Sequence, residues 1–219
     1  MKRTAWLGLV LAAAVAPAAS AQVGLSIRAG TLGAGGELSL QPNRYLGIRV
    51  GGNYLTFTRS ATGDGIAYDM TLKLQSGSGI LDLHPFGNSL HLSGGMIWNS
   101  NQGTVAARLT GPITIGPQTY QPSDVGSLTG RVSYARRYAP YAGLGFGGRG
   151  RVSLLFDLGL VFSGFPEVSL AGSTNLTGQA KSIFDQNVIQ ERQDIQANIE
   201  SRQYLKYYPV ISLGLRIGF

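Results

Sequence analysis

The last stretch of the chain, "YYPVISLGLRIGF" at 207–219, decides the fold. Ile211, Leu213, Leu215, Ile217 and Phe219 alternate with Ser212, Gly214, Arg216 and Gly218. A period of two puts every apolar side chain on one face of an extended strand and Arg216 on the other. The same pattern recurs upstream. Val152, Leu154, Phe156, Leu158, Leu160 and Phe162 oppose Ser153, Asp157, Gly159 and Ser163. Leu46, Ile48, Val50 and Tyr54 oppose Arg49 and Asn53. Leu90, Leu92, Met96 and Trp98 oppose His91 and Ser93. Ile66, Tyr68, Met70, Leu72 and Leu74 oppose Asp69, Thr71, Lys73 and Gln75.

Soluble sandwiches alternate too, but their polar face looks at water and is rich in Lys and Glu. Here the polar face is built of Gly, Ser, Asn and Thr with single charges. The 219 residues include 32 glycines and only 13% charged side chains. Small residues suit a crowded, concave interior. The strands are long, at roughly ten residues or more, which is the length a tilted strand needs to cross a bilayer. Tight turns at 41–44, 86–88 and 147–150 carry Pro, Asn and Gly. Longer polar segments at 60–65, 101–125 and 172–203 lie between them. Short turns alternating with long loops mark the two ends of a transmembrane barrel.

The N-terminus, "MKRTAWLGLVLAAAVAPAASAQ", has Lys2 and Arg3, an apolar run from Ala5 to Val15, and Ala19-Ser20-Ala21. These are the three parts of an export signal cleaved after Ala21. The expected domains are therefore a signal peptide, 1–21, and one barrel domain, 22–219. The chain has no cysteine, so disulfides do not supply its stability. Loss of Lys2 and Arg3 lowers the formal charge from +7 to +5. The basic residues form no stripe with interleaved aromatics, which excludes a nucleic-acid footprint. A modest positive excess suits a phosphate-bearing partner such as lipopolysaccharide.

Both barrel ends of the chain should lie in the periplasm, so the strand count is even. Six strands are expected at about 45–58, 66–86, 89–101, 126–146, 151–170 and 204–219. Two more come from 23–41, where the alternation changes phase across "GTLGAGG", 30–36. The fold expected is all-β, an eight-stranded antiparallel transmembrane barrel; a ten-stranded ring that takes in 111–122 is the alternative. The segment 179–203 has no alternation. Phe184 and Val188, and Ile195 and Ile199, are spaced by four, which predicts a polar helix in the last extracellular loop.

An eight-stranded barrel is just wide enough to be filled by its own side chains. Alternation places Arg28, Arg49, Lys73, Arg131 and Arg216 inside, with Glu37, Asp69, Asp82 and Asp157. His84 and His91 also face inward, near the turn at 86–88. Charges in a narrow, low-dielectric lumen are costly unless paired. They form either a structural plug or a polar path for a small zwitterionic or cationic solute. Tyr45, Trp98, Tyr138, Tyr207, Tyr208 and Phe219 fall near strand ends, where aromatic girdles form.

"QPNRYLGIRVGGNYL", "SLHLSGGMIWNSN" and "YAPYAGLGFGG" followed by "DLGLVFSGFPEVSL" resemble the CarO family of small outer-membrane barrels. "LGAGGELSLQPNRYLGIRVG" is also similar to the membrane domain of OmpA-type proteins. The resemblance implies an outer-membrane location and passive, porin-like uptake of small polar or basic solutes. It also implies insertion by the barrel-assembly machinery, with Tyr207 and Phe219 in the C-terminal signal. The other expectation is a closed structural or adhesive barrel that acts through its loops. No enzyme, cofactor or metal is expected. His91 and Ser93 are two apart on one strand, so both face the lumen, at the end away from the outer leaflet that carries lipid A. Two histidines with Asp82 make an incomplete metal site. The glycines at 143–150 precede a strand and no helix, unlike a phosphate loop.

Overall fold

A computed structural model describes residues 22–63 and 66–219; the export signal expected at 1–21 lies outside the described residues. Thirteen strand segments and one long helix follow in chain order. They are β1 (Gln22–Gly30), β2 (Gly33–Gln41), β3 (Leu46–Gly63), β4 (Ile66–Leu83), β5 (Leu90–Asn99), β6 (Gln102–Leu109), β7 (Ile113–Ile115), β8 (Gln118–Tyr120), β9 (Val125–Tyr134), β10 (Tyr138–Gly147), β11 (Val152–Val161) and β12 (Pro166–Thr174). The helix α1 (Gly178–Glu200), a 3-10 turn (Gln203–Lys206) and β13 (Tyr208–Gly218) complete the chain.

A closed antiparallel circuit runs β1, β2, β3, β4, β5, β10, β11, β13 and back to β1. Closure matters because an unpaired backbone group in hydrocarbon costs several kcal/mol. The outward face of this ring is apolar on every strand: Leu81 is 63% exposed, Leu154 73% and Leu213 63%. Ile97, Ala139 and Val161 face inward and are essentially inaccessible. Gly24 pairs with Gly218, so the first and last strands share one end, which also carries the turns at 42–45, 84–89 and 148–151.

β3 and β4 have 18 residues each. At ~3.3 Å per residue they extend roughly 60 Å. That is far more than the ~10 residues a tilted spanning strand uses. Their upper halves leave the ring and carry a continuation of the same sheet. Ser76–Leu83 of β4 pairs with β5, while Ile66–Lys73 pairs with β6. β9 and β12 extend the sheet beyond β6. The expected single strands 126–146 and 151–170 are thus each divided, with breaks at 135–137 and 162–165. The expected strand 89–101 is β5 alone, and after a break at 100–101 β6 occupies part of the segment expected as a loop at 101–125. At that break Ser100 N–H donates to Gln75 O at 2.8 Å, and Gln75 N–H donates to Asn101 Oδ1 at 2.7 Å. A side-chain amide there takes the place of a backbone carbonyl, so the register is kept.

The insert expected at 111–122 pairs only with itself, as the ribbon β7–β8, and stays out of the ring. α1 is the helix expected at 179–203. Phe184 and Val188 bury against Ile115, Tyr120 and Val125, with Leu128 and Leu170 packed around them. Tyr120 meets Phe184 edge-on at 5.2 Å, and Asn187 Nδ2 donates to Tyr120 Oη at 2.8 Å. This second core is separate from the one inside the ring.

Phe184→Ala should cost the helix about 3–5 kcal/mol of docking free energy. Limited proteolysis should then cut within 178–200 much faster, while the ring keeps its heat-dependent shift on a cold detergent gel.

Candidate functional site: the charged lumen

The inward positions of five strands converge on one ionic layer. Arg49 on β3 points inward because Ile48 and Val50 point out. Its guanidinium grips Asp82 of β4 in a forked contact, Nε to Oδ2 at 2.5 Å and Nη2 to Oδ1 at 2.9 Å. Two parallel charge-assisted bonds of this kind fix orientation as well as charge. The same guanidinium reaches Asp157 Oδ1 of β11 at 3.1 Å, Ser93 Oγ of β5 at 3.1 Å, and Glu37 Oε2 of β2 at 3.5 Å. Ser93 Oγ donates to Asp82 Oδ1 at 2.7 Å. Arg28 on β1 donates to Glu37 Oε2 at 2.8 Å and to Ser212 Oγ at 3.1 Å, and pairs with Asp157. His91 Nε2 lies 3.3 Å from Asp157 Oδ1.

Two arginines therefore face three carboxylates, all of them buried or nearly so. Arg216 stands nearer the turn end, 1% exposed, without an acidic partner among the described residues. Its Nε donates to Ser39 Oγ at 2.9 Å and its Nη1 to Gly150 O at 3.2 Å. Its charge offsets the single negative excess of the layer above. His84, just past β4, stacks beside His91 with ring centroids 5.1 Å apart. Burial, with the like charge of Arg149 nearby, pushes the His84 imidazole pKa below its ordinary value.

Glycine makes room for these groups. A Cβ on Gly145 would lie 2.1 Å from His91 Nε2, and one on Gly24 would lie 2.2 Å from Arg216 Nε. Towards the loop end an apolar layer lies above the charges: Leu32, Ile80, Ile97, Ala139, Tyr141, Val161 and Val210. Two small cavities remain beside these groups. One of about 40 Å³ lies between the two layers, against Arg28, Ile97 and Tyr141. The other, of about 20 Å³, lies on the turn side, against His84, His91 and Arg216. Arg49 and Glu37 line both. A single water needs ~10–15 Å³ of such space. Each cavity therefore holds a few waters at most.

The structure brings together Arg28, Glu37, Arg49, Asp82 and Asp157, with Arg216 below them, in the lumen. Asp69, Lys73 and Arg131 lie elsewhere, and the reason is parity. β4 pairs with β3 without a register shift from Ile66 to Leu83, so Asp69 and Lys73 cannot share the face of Asp82. Asp69 is exposed and accepts a hydrogen bond from Ser60 Oγ at 2.6 Å. Arg131, also exposed, precedes the break at 135–137, which resets the alternation between β9 and β10. Tyr208 corrects the expected girdle: it shares the inward face of Val210 and Arg216. Its Oη donates to Thr31 O at 2.5 Å and accepts from Asn101 Nδ2 at 3.3 Å. Tyr45, Tyr138, Tyr207 and Phe219 are exposed, and Trp98 is half-buried. Ser93, Ser212 and Tyr141, which complete the lumen, carry no charge and so gave no signal of their own beyond alternation. Ser93 is engaged by Arg49 and Asp82, and His91 by Asp157.

No protein-family model matches the chain, and no curated protein matches it in sequence. Solved structures do. The crystal structure of Acinetobacter baumannii CarO2 matches at 24% identity with a TM-score of 0.61, covering 90% of this chain and 98% of that one. That of A. baumannii CarO matches at 23% identity with a TM-score of 0.63, covering 90% and 97%. The likeness is one of fold and spans nearly the whole of both proteins: this chain is a CarO-like β-barrel.

Arg49→Met should destabilise the barrel by roughly 3–5 kcal/mol, because Asp82 stays buried without its forked partner. A lower urea midpoint for loss of the compact band in detergent is the expected reading. Restoration by the double variant R49M/D82L would show that the uncompensated charge carries the cost.

Proposed function

We propose that this CarO-like chain is an eight-stranded outer-membrane barrel with a closed lumen, acting through the superstructure that β3, β4, β6, β9, β12 and α1 build on its loop end. One observation carries the reading: an ionic layer and an apolar layer are stacked across the lumen, and the space left beside them is water-sized. The apolar outward belt supports a bilayer location, with the turn end and both termini in the periplasm. Residues 1–21 then direct export, and Tyr207 and Phe219 belong to the signal read by the barrel-assembly machinery. Outer-membrane lipid, including lipopolysaccharide, surrounds the belt. The reading assigns the chain no catalytic step.

Passive uptake of small polar or cationic solutes is the second reading. It draws on the position of Arg49, which lines both cavities and whose contacts to Glu37 are its longest, at 3.5 Å. Movement of that one side chain would join the two spaces.

The mature chain, refolded and proven compact by its gel shift, should be electrically silent in a planar bilayer. Discrete steps in the wild type, altered by Arg49→Ala and Arg216→Ala, would replace the closed reading with the uptake reading.

A further inference from the structure

Above the ring, the strands keep the alternation but reverse its meaning. β3 and β4 pair without a shift, so the face of Phe57, Arg59, Met70 and Leu72 is continuous with the face that lines the lumen below. The register carries this face across the sheet in two rows. Phe57, Leu72, Gly103 and Val132 form the lower row; Arg59, Met70, Val105 and Gly130 form the upper. Phe57 is 56% exposed and Leu72 45%, and Met70, Val105 and Val132 are exposed as well. The opposite face of the same strands carries Asp69, Lys73, Arg108, Arg131 and Glu167. A sheet standing in water thus has its charged side chains on one face and leaves the apolar face open.

Contiguous exposed apolar surface of this kind marks a binding site. At its foot lies a shallow depression, open to the surface, against Leu72, Leu74, Gly103, Val132, Tyr134 and Tyr208. α1 covers the far end, over Leu128, Gly172 and the continuation of the rows on β12 at Val168 and Leu170, and leaves Phe57, Met70, Leu72, Val105 and Val132 exposed. Arg59 is the one charged side chain on this face among the described residues. It stands in the upper row and makes no ion pair among the described residues.

We propose that this face binds an anionic single-chain amphiphile of the fatty-acid class, its hydrocarbon lying along Leu72, Val105 and Val132 and its carboxylate meeting Arg59. The occupant follows from the distribution of charge. A neutral oil would leave Arg59 unused, and a polar solute would gain nothing from the two apolar rows. A phospholipid or a second copy of the chain would also cover apolar surface, but neither is matched to one isolated cation. From Leu74 to Met70 is roughly 13 Å along the strand, at ~3.3 Å per residue, which suits a medium-length chain. This inference rests on the proposal that the superstructure stands outside the bilayer.

The test uses the mature chain in phosphatidylcholine nanodiscs, with dansyl-undecanoate as the fluorescent probe and decanoate and decanol as competitors. The probe should brighten with protein-loaded discs and not with empty ones. Decanoate should displace it about fivefold more tightly than decanol, the preference one exposed ion pair provides. Arg59→Ala should abolish that preference while keeping decanol binding. Gly103→Trp should fill the face and remove probe binding. A Cβ at Gly103 meets no atom within 4 Å, so the larger side chain enters open space. The cold-gel shift of each sample separates the two readings. A chain without a shift fails as a barrel. A shifted wild type that leaves the probe dark, or an R59A variant that still prefers decanoate, overturns the amphiphile site. A dark probe together with a dimer that G103W converts to monomer assigns the face to a second copy instead.

Discussion

Everything in this molecule depends on the closure of one hydrogen-bonded ring. Backbone N–H and C=O groups in hydrocarbon have no water to turn to, so a sheet that enters a bilayer must leave no edge there. β4 meets this requirement in an unusual way. It gives its lower half to β5 and its upper half to β6, along one uninterrupted register. The ring closes through the lower half, and the superstructure hangs from the upper half. A bulge in β4 would rotate one of these against the other, and the ionic layer would lose Asp82.

Closure also dictates what fills the inside. The ring leaves a bore too narrow for bulk water and too polar to pack like a soluble core. The chain divides the job between two layers. Ile80, Ile97, Val161 and Val210 fill one by shape. Arg28, Arg49, Glu37, Asp82 and Asp157 fill the other by charge. A buried ionic cluster is a poor source of net stability, because desolvation opposes most of the Coulombic gain. Its physical value here is specificity. Arg49 contacts β2, β4, β5 and β11 at once, so only one stagger of the strands satisfies its donors.

The ring was legible from alternation alone because a closed ring with an apolar outward face imposes it strictly. Each apolar strand face in 207–219, 152–162 and 46–54 is outward, and Arg49, Asp157 and Arg216 are inward. The misplacements share one cause. Asp69 and Lys73 have odd numbers and Asp82 an even one, so a strand without a bulge cannot point all three inward. Arg131 sits before a three-residue break that changes phase, and such breaks leave a weak trace in composition. The lengths of β3 and β4 exceed the roughly ten residues of a tilted spanning strand, and that excess was the available sign that the sheet continues beyond the ring. Nothing in single residues announces that Leu72 and Val105, apolar like the lipid belt, belong to the opposite face. That follows only once the register is known.

The superstructure then poses the edge problem that the ring avoids. An unpaired strand edge in water invites pairing with another chain. β12 ends the sheet, and α1 covers it. Gln196 acts as a surrogate strand there: its Oε1 accepts from Val168 N–H at 3.0 Å and its Nε2 donates to Pro166 O at 3.2 Å. Phe184 and Val188 anchor the other end of the same helix over Gly172, where a side chain on the strand would collide with the Phe184 ring. The polar helix of the last loop is thereby a structural part, and its weak amphipathicity makes sense, since only one short stripe is buried. The upper half of β3, on the opposite side, keeps an uncovered edge beside the apolar rows. That apolar face is bounded on one flank by α1 and on the other by the edge of β3, so it is reached from the side, just above the ring.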